Sequence, residues 1–359
     1  MTFRRTSVLA ALLVMLVTAG PATASYDPVG GGSTKITLDK GFLAMLKKHR
    51  VRLVAKAPAK LKGTTVTFPV SGGRLDPVAV KGSVEHEGTL VFQAGRHHLP
   101  LKNLTLKTAQ ANSPLSANFG GPQLRFATSS KLKTARSGFG LRAKISALKL
   151  SAKVAQRLDT KLHLRGVFED GELLGTSLTN AQPATVAIQA SGKASLELAP
   201  EFLAKLASLF VAFNPIFPAE HLGPAFTLPI VGGKIAPDGS AGTLQSAGSL
   251  EAIQQGGGQV FLRELWPELS SAALSVEFDA EPSPPNVGKL GRLPIFGLLA
   301  GAVSANPAAR TITAAGTTAT LQAATAQAFN EAFAKPQGKA DVFRSGEPFA
   351  TLSFAAQAQ

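Results

Sequence analysis

The sequence contains no cysteine among its 359 residues, and it has only one tryptophan, one tyrosine and six histidines. Without cysteine there are no disulfides, no thiolate metal sites, no cysteine nucleophile and no covalent haem attachment. Long apolar runs are also missing, because no stretch after residue 24 reaches the 18 or so apolar residues of a membrane-spanning helix. The longest candidate, 293–303, is interrupted by Pro294. The sequence therefore predicts a fold held by core packing, with no transmembrane anchor.

Catalytic motifs are missing as well. His86 and Glu87 are not followed by the second histidine of a zinc-protease helix. Lys234 follows two glycines but lacks the upstream glycine of a phosphate-binding loop, and Ser240 lacks the spacing of a nucleophile elbow. We therefore predict a protein that is not an enzyme and has no catalytic residues.

The first 24 residues have the three parts of a secretory signal peptide. Arg4 and Arg5 precede an apolar stretch at 8–17, and the small residues Ala22-Thr23-Ala24 follow. The arginine pair also resembles a twin-arginine signal, so the export route stays open between the general and the twin-arginine pathway. We expect cleavage after Ala24 and a mature protein that is secreted or held at the cell surface.

The rest of the chain repeats itself. The pattern Phe-Pro-Val-x-Gly-Gly-x-Leu-x-Pro at 68–77 returns as Leu-Pro-Ile-x-Gly-Gly-x-Ile-x-Pro at 228–237, and Val-Phe-x-x-Gly-Glu at 167–172 returns at 342–347. A repeat of this length is a whole domain. The sequence predicts domain 1 at 35–180, a linker at 181–194, and domain 2 at 195–359 with a Pro/Gly-rich loop at 282–307.

Each copy has the pattern of a β-rich domain. Apolar alternation predicts strands at 64–70, 84–92, 99–106 and 141–150, and helices at 40–49 and 152–162 have Asp39 and Ser151 as predicted N-caps. In domain 2, Pro200 occupies the first turn of the first helix, and 323–334 predicts the second helix. We therefore predict a mainly β protein: two tandem homologous β-sandwich or barrel-like domains, each with two short helices.

Charge separates the two copies. Residues 35–180 hold 25 Lys and Arg against 8 Asp and Glu, a net charge of +17, whereas residues 193–359 hold 10 against 13, a net charge of −3. A basic surface attracts anionic polymers, anionic lipids or small carboxylates, and a lysine-rich surface also keeps a protein soluble. A partner that requires positive charge would therefore bind domain 1.

The histidines of domain 1 are the candidate ligand-binding residues. His86, His97 and His98 lie close together in sequence, and the matching region of domain 2 has Ser246 and three glycines, 256–258. In a strand, His97 and His98 point to opposite faces, so only one of them can face a pocket. Imidazole is a ligand for haem iron and for borderline metals.

The segment 68–104 resembles the HtaA domain of exported haem-binding proteins of Gram-positive actinobacteria. The residues that carry the resemblance are the glycines and apolar residues of 68–77, Gly82, Gly88 and Phe92, and the run from Gly95 to His97, together with the closing Phe-x-x-Gly-Glu turns at 168–172 and 343–347. The resemblance implies a β-rich domain that captures haem through a tyrosine of the first helix and a histidine that follows the Phe-x-x-Gly turn at 92–95. His97, or His98 with a slip of one residue, matches that histidine. The first helix carries Met45 and Leu46 where the tyrosine is expected, and the single tyrosine, Tyr26, precedes the domain.

Three hypotheses follow for the ligand. In the first, haem binds domain 1 through His97 or His98, with His86 nearby and Arg96 pairing with the propionates. In the second, the domain carries a lipid or another small apolar or amphiphilic anion. In the third, the basic half docks on anionic cell-wall polymer as an adhesive or structural module. No nucleic-acid partner and no separate metal site are predicted.

Overall fold

The computed structural model describes residues 26–110, 114–121, 123–129, 132–281, 291–299 and 302–359. The predicted signal peptide, 1–24, lies outside these ranges. The described chain forms two tandem domains made mainly of strands, each closed into a barrel-like sheet. The predicted fold class is confirmed, and of its two forms the barrel-like one is present.

Domain 1 consists, in chain order, of β1 (Asp27–Leu38), α1 (Lys40–Lys48), β2 (Val51–Lys56), β3 (Lys60–Lys62), β4 (Thr65–Asp76), β5 (Lys81–His86), β6 (Thr89–Ala94), β7 (His97–Lys107), β8 (Leu115–Phe119), β9 (Gln123–Ser129), β10 (Leu132–Ser137), β11 (Gly140–Leu150), α2 (Ala152–Leu162) and β12 (Leu173–Pro183).

Domain 2 consists of β13 (Val186–Ala187), β14 (Lys193–Leu198), α3 (Pro200–Ser208), β15 (Val211–Ile216), β16 (Glu220–Leu222), β17 (Ala225–Ile235), β18 (Gly242–Ser246), β19 (Ser249–Gln254), β20 (Gln259–Glu268), β21 (Ala273–Glu281), β22 (Gly291–Leu298), β23 (Ala302–Asn306), β24 (Thr311–Leu321), α4 (Ala323–Phe329) and β25 (Pro348–Gln357). A π-helical turn, Asn330–Ala334, and a short 3-10 turn, Lys335–Gln337, continue α4.

The strands of each domain close on themselves. In domain 1 the hydrogen-bonded order is β7-β5-β4-β1-β12-β11-β9-β8, and β8 pairs back onto β7. In domain 2 the order β17-β14-β25-β24-β22-β21-β20 is closed by β18, which pairs with both β17 and β20. Outside the first ring, β2 and β6 extend from β7, β3 pairs with β4, and β10 pairs with β11. Closure leaves few free strand edges, which limits edge-to-edge association.

The repeated Gly-Gly pair has a structural reason. The pairing of β4 with β5 shifts register between Val70 and Gly72, and Gly73 takes φ +128° in this bulge. A Cβ at Gly73 would overlap the carbonyl oxygen of Ser83 on the next strand. Gly233 has the same relation to Thr243 in domain 2. Only glycine allows this close approach of two backbones, which explains why the second residue of the pair is glycine in both copies.

The helices form close to where the sequence predicts them. The side chain of Asp39 accepts hydrogen bonds from the N–H groups of Gly41 and Phe42, so the predicted cap of α1 is confirmed. The predicted cap at Ser151 is wrong, because its hydroxyl donates instead to the carbonyl of Arg125 on β9. No helix in the described part of the chain combines the length and apolar character needed to cross a lipid bilayer.

Two predicted irregular segments contain strands. The segment 181–194 includes the end of β12 and all of β13, which pairs with β17. Within the predicted loop 282–307, residues 282–290 lie outside the described ranges, but 291–298 and 302–306 are β22 and β23. Pro294 is accommodated beside a register shift between β21 and β22, where a missing N–H disturbs the pairing least.

Each domain has its own aromatic core, and a third cluster joins the domains. In domain 1, Phe168 packs against Phe42 and Phe92, which brings α1 and the turn after α2 onto the sheet. At the junction, the Arg310 side chain of domain 2 lies over the Phe139 ring of domain 1 and donates to the carbonyl of Gly138.

Candidate functional site

The predicted histidines occupy one hairpin of domain 1. β6 ends at Ala94, and β7 begins at His97, which pairs directly with Ala94. His97 is half-buried, whereas Arg96 and His98 are exposed. Because successive strand residues point to opposite faces, His97 faces the helices and His98 faces away from them. The structure therefore brings His97 alone of the pair towards the helical side of the sheet.

A second imidazole meets His97 there. The ring of His163 lies against that of His97, with 4.0 Å between ring centroids and 35° between ring planes. His163 ends α2 in the left-handed conformation, with φ 58°. Partial desolvation is the largest cause that lowers the pKa of His97, and the charges of His163, Arg96 and His98 act in the same direction. A neutral imidazole can donate a ring-nitrogen lone pair to a metal.

His86 has a different environment. It is buried in the core, where Nδ1 is 2.8 Å from the carbonyl oxygen of Leu104 and Nε2 is 2.6 Å from the hydroxyl of Thr34. A carbonyl can only accept, so Nδ1 carries the proton and Nε2 accepts from Thr34, whose oxygen accepts in turn from Thr179. Burial lowers the pKa of His86 to about 4, and the bond to Leu104 opposes this effect. Both ring nitrogens are engaged, so this histidine supports the core.

An open pocket of about 430 Å³ lies between α1 and β2 in the same domain. Three cationic residues contribute to its lining, Lys47, Arg50 and Arg52. Its apolar lining comes from Leu38, Leu43, Leu46, Val51, Leu53 and Leu61. An apolar surface with nearby cations suits a ligand that has a large apolar part and acidic groups.

The strand register connects this pocket to the histidine pair. Val51 of the pocket pairs with Ala94, and Ala94 pairs with His97. Directly paired residues lie on the same face, so these three side chains form one row across β2, β6 and β7. Two strand spacings place Val51 and His97 about 10 Å apart. Ala94, in the middle of the row, has the smallest of the three side chains.

Domain 2 lacks these features at the equivalent positions. Gln254 stands where domain 1 has Ala94, and its amide donates to the carbonyls of Leu209 and Phe333. A Cβ at Gly258 would overlap the backbone of Ala332, so there is no room for an imidazole. At the equivalent of the pocket, 160 positions on, the cations Lys47, Arg50 and Arg52 are replaced by Ala207, Phe210 and Ala212. Leu53 is replaced by Phe213, which packs among Phe202, Phe226 and Phe349.

Domain 2 has a pocket of its own, of about 330 Å³, at Leu269, Leu298 and Phe354. Its lining contains no Lys, Arg or His among the described residues, and another pocket of domain 2, of about 500 Å³, has Lys335 and Arg344 in its lining but no His. Nor do the described ranges hold a group of three or more His, Asp or Glu side chains arranged for a metal ion. The combination of pocket, cations and imidazoles is therefore found in domain 1.

Sequence reasoning identified His97, His98 and Arg96 as neighbours on one hairpin but missed His163 and the pocket. His163 lies 66 positions after His97, and only the packing of α2 on β6 and β7 brings the rings together. A histidine directly after the last turn of a predicted helix, next to the Phe-x-x-Gly-Glu motif, was the available signal.

No protein-family model and no curated protein sequence matches this chain. Two solved structures from Corynebacterium glutamicum are similar to it at a low level. The C-terminal domain of HtaA has 16% sequence identity and a TM-score of 0.34, over 44% of this chain and 98% of that one. The haem-binding protein HtaB has 15% identity and a TM-score of 0.30, over 44% of this chain and 96% of that one.

Proposed function

We propose that this chain is a non-enzymatic, extracytoplasmic binding protein whose domain 1 takes up haem along the row Val51–Ala94–His97. The observation that carries the proposal is the row itself, which joins an apolar pocket flanked by cations to a neutral imidazole. Haem needs all three features, because it has a flat apolar body, two carboxylates and an iron that accepts a nitrogen ligand.

The residues present fit haem with a single protein ligand. His97 supplies the imidazole nitrogen, and the His163 ring packed against it holds its orientation. Lys47, Arg50 and Arg52 pair with carboxylates, while the leucines of the pocket exclude water from the ring edge. Helix α1 offers no tyrosine as an iron ligand, because it carries Met45 and Leu46 where the tyrosine is expected. Tyr26 precedes β1 in the sequence, and about half of its side chain is exposed. When bound, haem would supply the coordinated iron, and the chain would supply orientation and charge.

A second candidate ligand is a fatty acid or another apolar carboxylate. It is favoured by one observation, namely that no residue lining the pocket itself is an iron ligand. Such a ligand would use the leucines and the three cations and would leave His97 free.

Haem and iron-free porphyrin added to the full-length mature protein separate these candidates. For haem, we expect a Soret shift that saturates, and that is lost in His97→Gln while His98→Gln, a matched change on the opposite face, keeps it. The proposal fails if His97→Gln binds haem with an unchanged spectrum. If iron-free porphyrin and a fluorescent fatty acid bind as tightly as haem in both variants, the carboxylate alternative replaces it.

A further inference from the structure

The outer face of domain 1 carries a row of lysines that the strand register places in line. Each residue of the row is paired with the next across adjacent strands, in the order Lys60, Thr67, Lys35, Leu178, Lys144 and Lys133. The row crosses β3, β4, β1, β12, β11 and β10, and its four lysines are all exposed. With about 4.8 Å per strand, Lys60, Lys35 and Lys144 follow one another at intervals of about 10 Å. We call this set, with the adjacent Lys62 and Arg142, the lysine row.

Among the described residues, the cations of the lysine row have no ion-pair partner. Of the six strands that form it, β3, β10, β11 and β12 contain no Asp or Glu, and the single aspartates of β1 and β4 stand at strand ends away from the row, at Asp27 and Asp76. Within the described ranges, the ion pairs Lys193–Glu220, Lys205–Glu347, Arg263–Asp279, Arg292–Glu264 and Lys335–Glu331 all belong to domain 2. Six unpaired cations on one face repel each other, which costs stability unless an anion covers them.

Domain 2 provides an internal comparison on the same scaffold. The position of Lys60 is taken by Glu220, that of Lys35 by Ser195, and that of Lys144 by Ala315. The Thr67 position remains threonine, Thr227, and keeps the same pairing. The fold therefore does not require lysine in this row, and the charge there is a property of domain 1 alone.

We propose that the lysine row binds a linear, non-aromatic polyanion of the cell envelope, such as a polyol-phosphate polymer. The row lies on an outward sheet surface with its lysines exposed, which suits an extended polymer that binds several charges in succession. Five of its six cations are lysines, which act as point charges, and arginine forks suited to planar bidentate recognition are nearly missing. The row contains no aromatic side chain on which bases could stack, and this argues against single-stranded nucleic acid. None of the six cations lines the proposed haem pocket, although Lys62 lies between its residues Leu61 and Gly63, and the proposal does not depend on haem binding.

Binding of poly(glycerol phosphate) to the full-length mature protein tests the proposal. The variant Lys35→Ser, Lys60→Ser, Lys144→Ala removes three charges from the row, and Lys102→Ala, Lys153→Ala, Lys161→Ala removes three exposed charges from β7 and α2 of the same domain. At about fivefold per lysine, we expect binding about 100-fold weaker in the first variant, with little change in the second. The slope of log K against log salt should also fall by about three in the first variant only.

Three outcomes would overturn the proposal. Equal losses in both variants would mean that the net charge of the domain, and not the row, attracts the polymer. Tighter binding of an oligothymidylate with the same number of charges would identify nucleic acid as the partner. Circular dichroism must show both variants folded, and unchanged binding in a folded first variant would exclude the row as the site.

Discussion

Acidification should destabilise domain 1 through His86. The folded chain keeps this imidazole neutral down to a pKa of about 4, whereas its ordinary value is 6.5. Below pH 6.5 the unfolded chain therefore takes up a proton that the folded chain does not, and each such proton lowers the free energy of unfolding. The contribution is complete above pH 6.5 and lost below pH 4. At 1.36 kcal/mol per pKa unit, the loss is about 3 kcal/mol.

Burial is the main reason that His86 resists protonation, and the hydrogen-bond pattern around the ring fits its neutral form. A protonated ring would place a donor at Nε2 opposite the Thr34 hydroxyl, which already donates to it and accepts from Thr179. In domain 2 the same position is Ser246, whose hydroxyl donates to the carbonyl of Leu265 and does not titrate in this range. The effect should therefore be confined to domain 1.

Urea unfolding at pH 7, 6, 5 and 4 measures the effect, with His86→Gln as the matched variant. Carboxylates titrate in both proteins, so the difference between their free energies of unfolding isolates His86 and should shrink by about 3 kcal/mol from pH 7 to pH 4. Circular dichroism follows both domains, and the fluorescence of Trp266, the single tryptophan, follows domain 2 as an internal control. The reasoning is refuted if the difference does not change with pH, or if the NMR titration of His86 gives a pKa near 6.5.

Three further outcomes are expected. Asp39→Ala should lower the free energy of unfolding by about 1 kcal/mol, because the N–H groups of Gly41 and Phe42 lose their acceptor; thermal unfolding that matches the wild type would contradict this role. Gly73→Ala should cost about 3 kcal/mol or more, since its Cβ meets the Ser83 carbonyl, whereas Gly63→Ala, which has open space around it, should cost about 1 kcal/mol; urea midpoints in the reverse order would be evidence against the bulge. Mass spectrometry of the exported protein should find Ser25 as its first residue, and an intact N-terminus at Met1 would exclude the predicted signal peptide.

The features that could be predicted from the sequence are those set by neighbouring residues, such as strands and helix caps. The strands of 64–70 and 99–106 follow from apolar alternation, and the cap at Asp39 follows from a short acceptor beside free N–H groups. Ser151 did not behave in the same way, because a carbonyl on β9 competes for its hydroxyl, and β9 is distant in sequence. The strand at 291–298 was predicted as loop because of its Pro and Gly residues, and a register shift opposite Pro294 accommodates the proline. The strand at 302–306 was assigned to the same loop.

The candidate sites depend on register between segments that are far apart. Lys35, Lys144 and Lys133 form a row only because β1, β12, β11 and β10 pair in one particular alignment. The contact of His97 with His163 likewise requires the tertiary packing of α2. Composition revealed the excess of charge in domain 1, but its arrangement could not be derived without the pairing of the strands.

The central proposal is that domain 1 binds haem and that domain 2 does not. Absorbance titration of the full-length mature protein with haem measures this most directly, through the number of haems bound per chain. We expect one haem per chain, because the residues at Gln254, Gly258 and Phe213 leave no room for haem in the equivalent region of domain 2. A stoichiometry of two, or the absence of a saturable Soret shift, would contradict it.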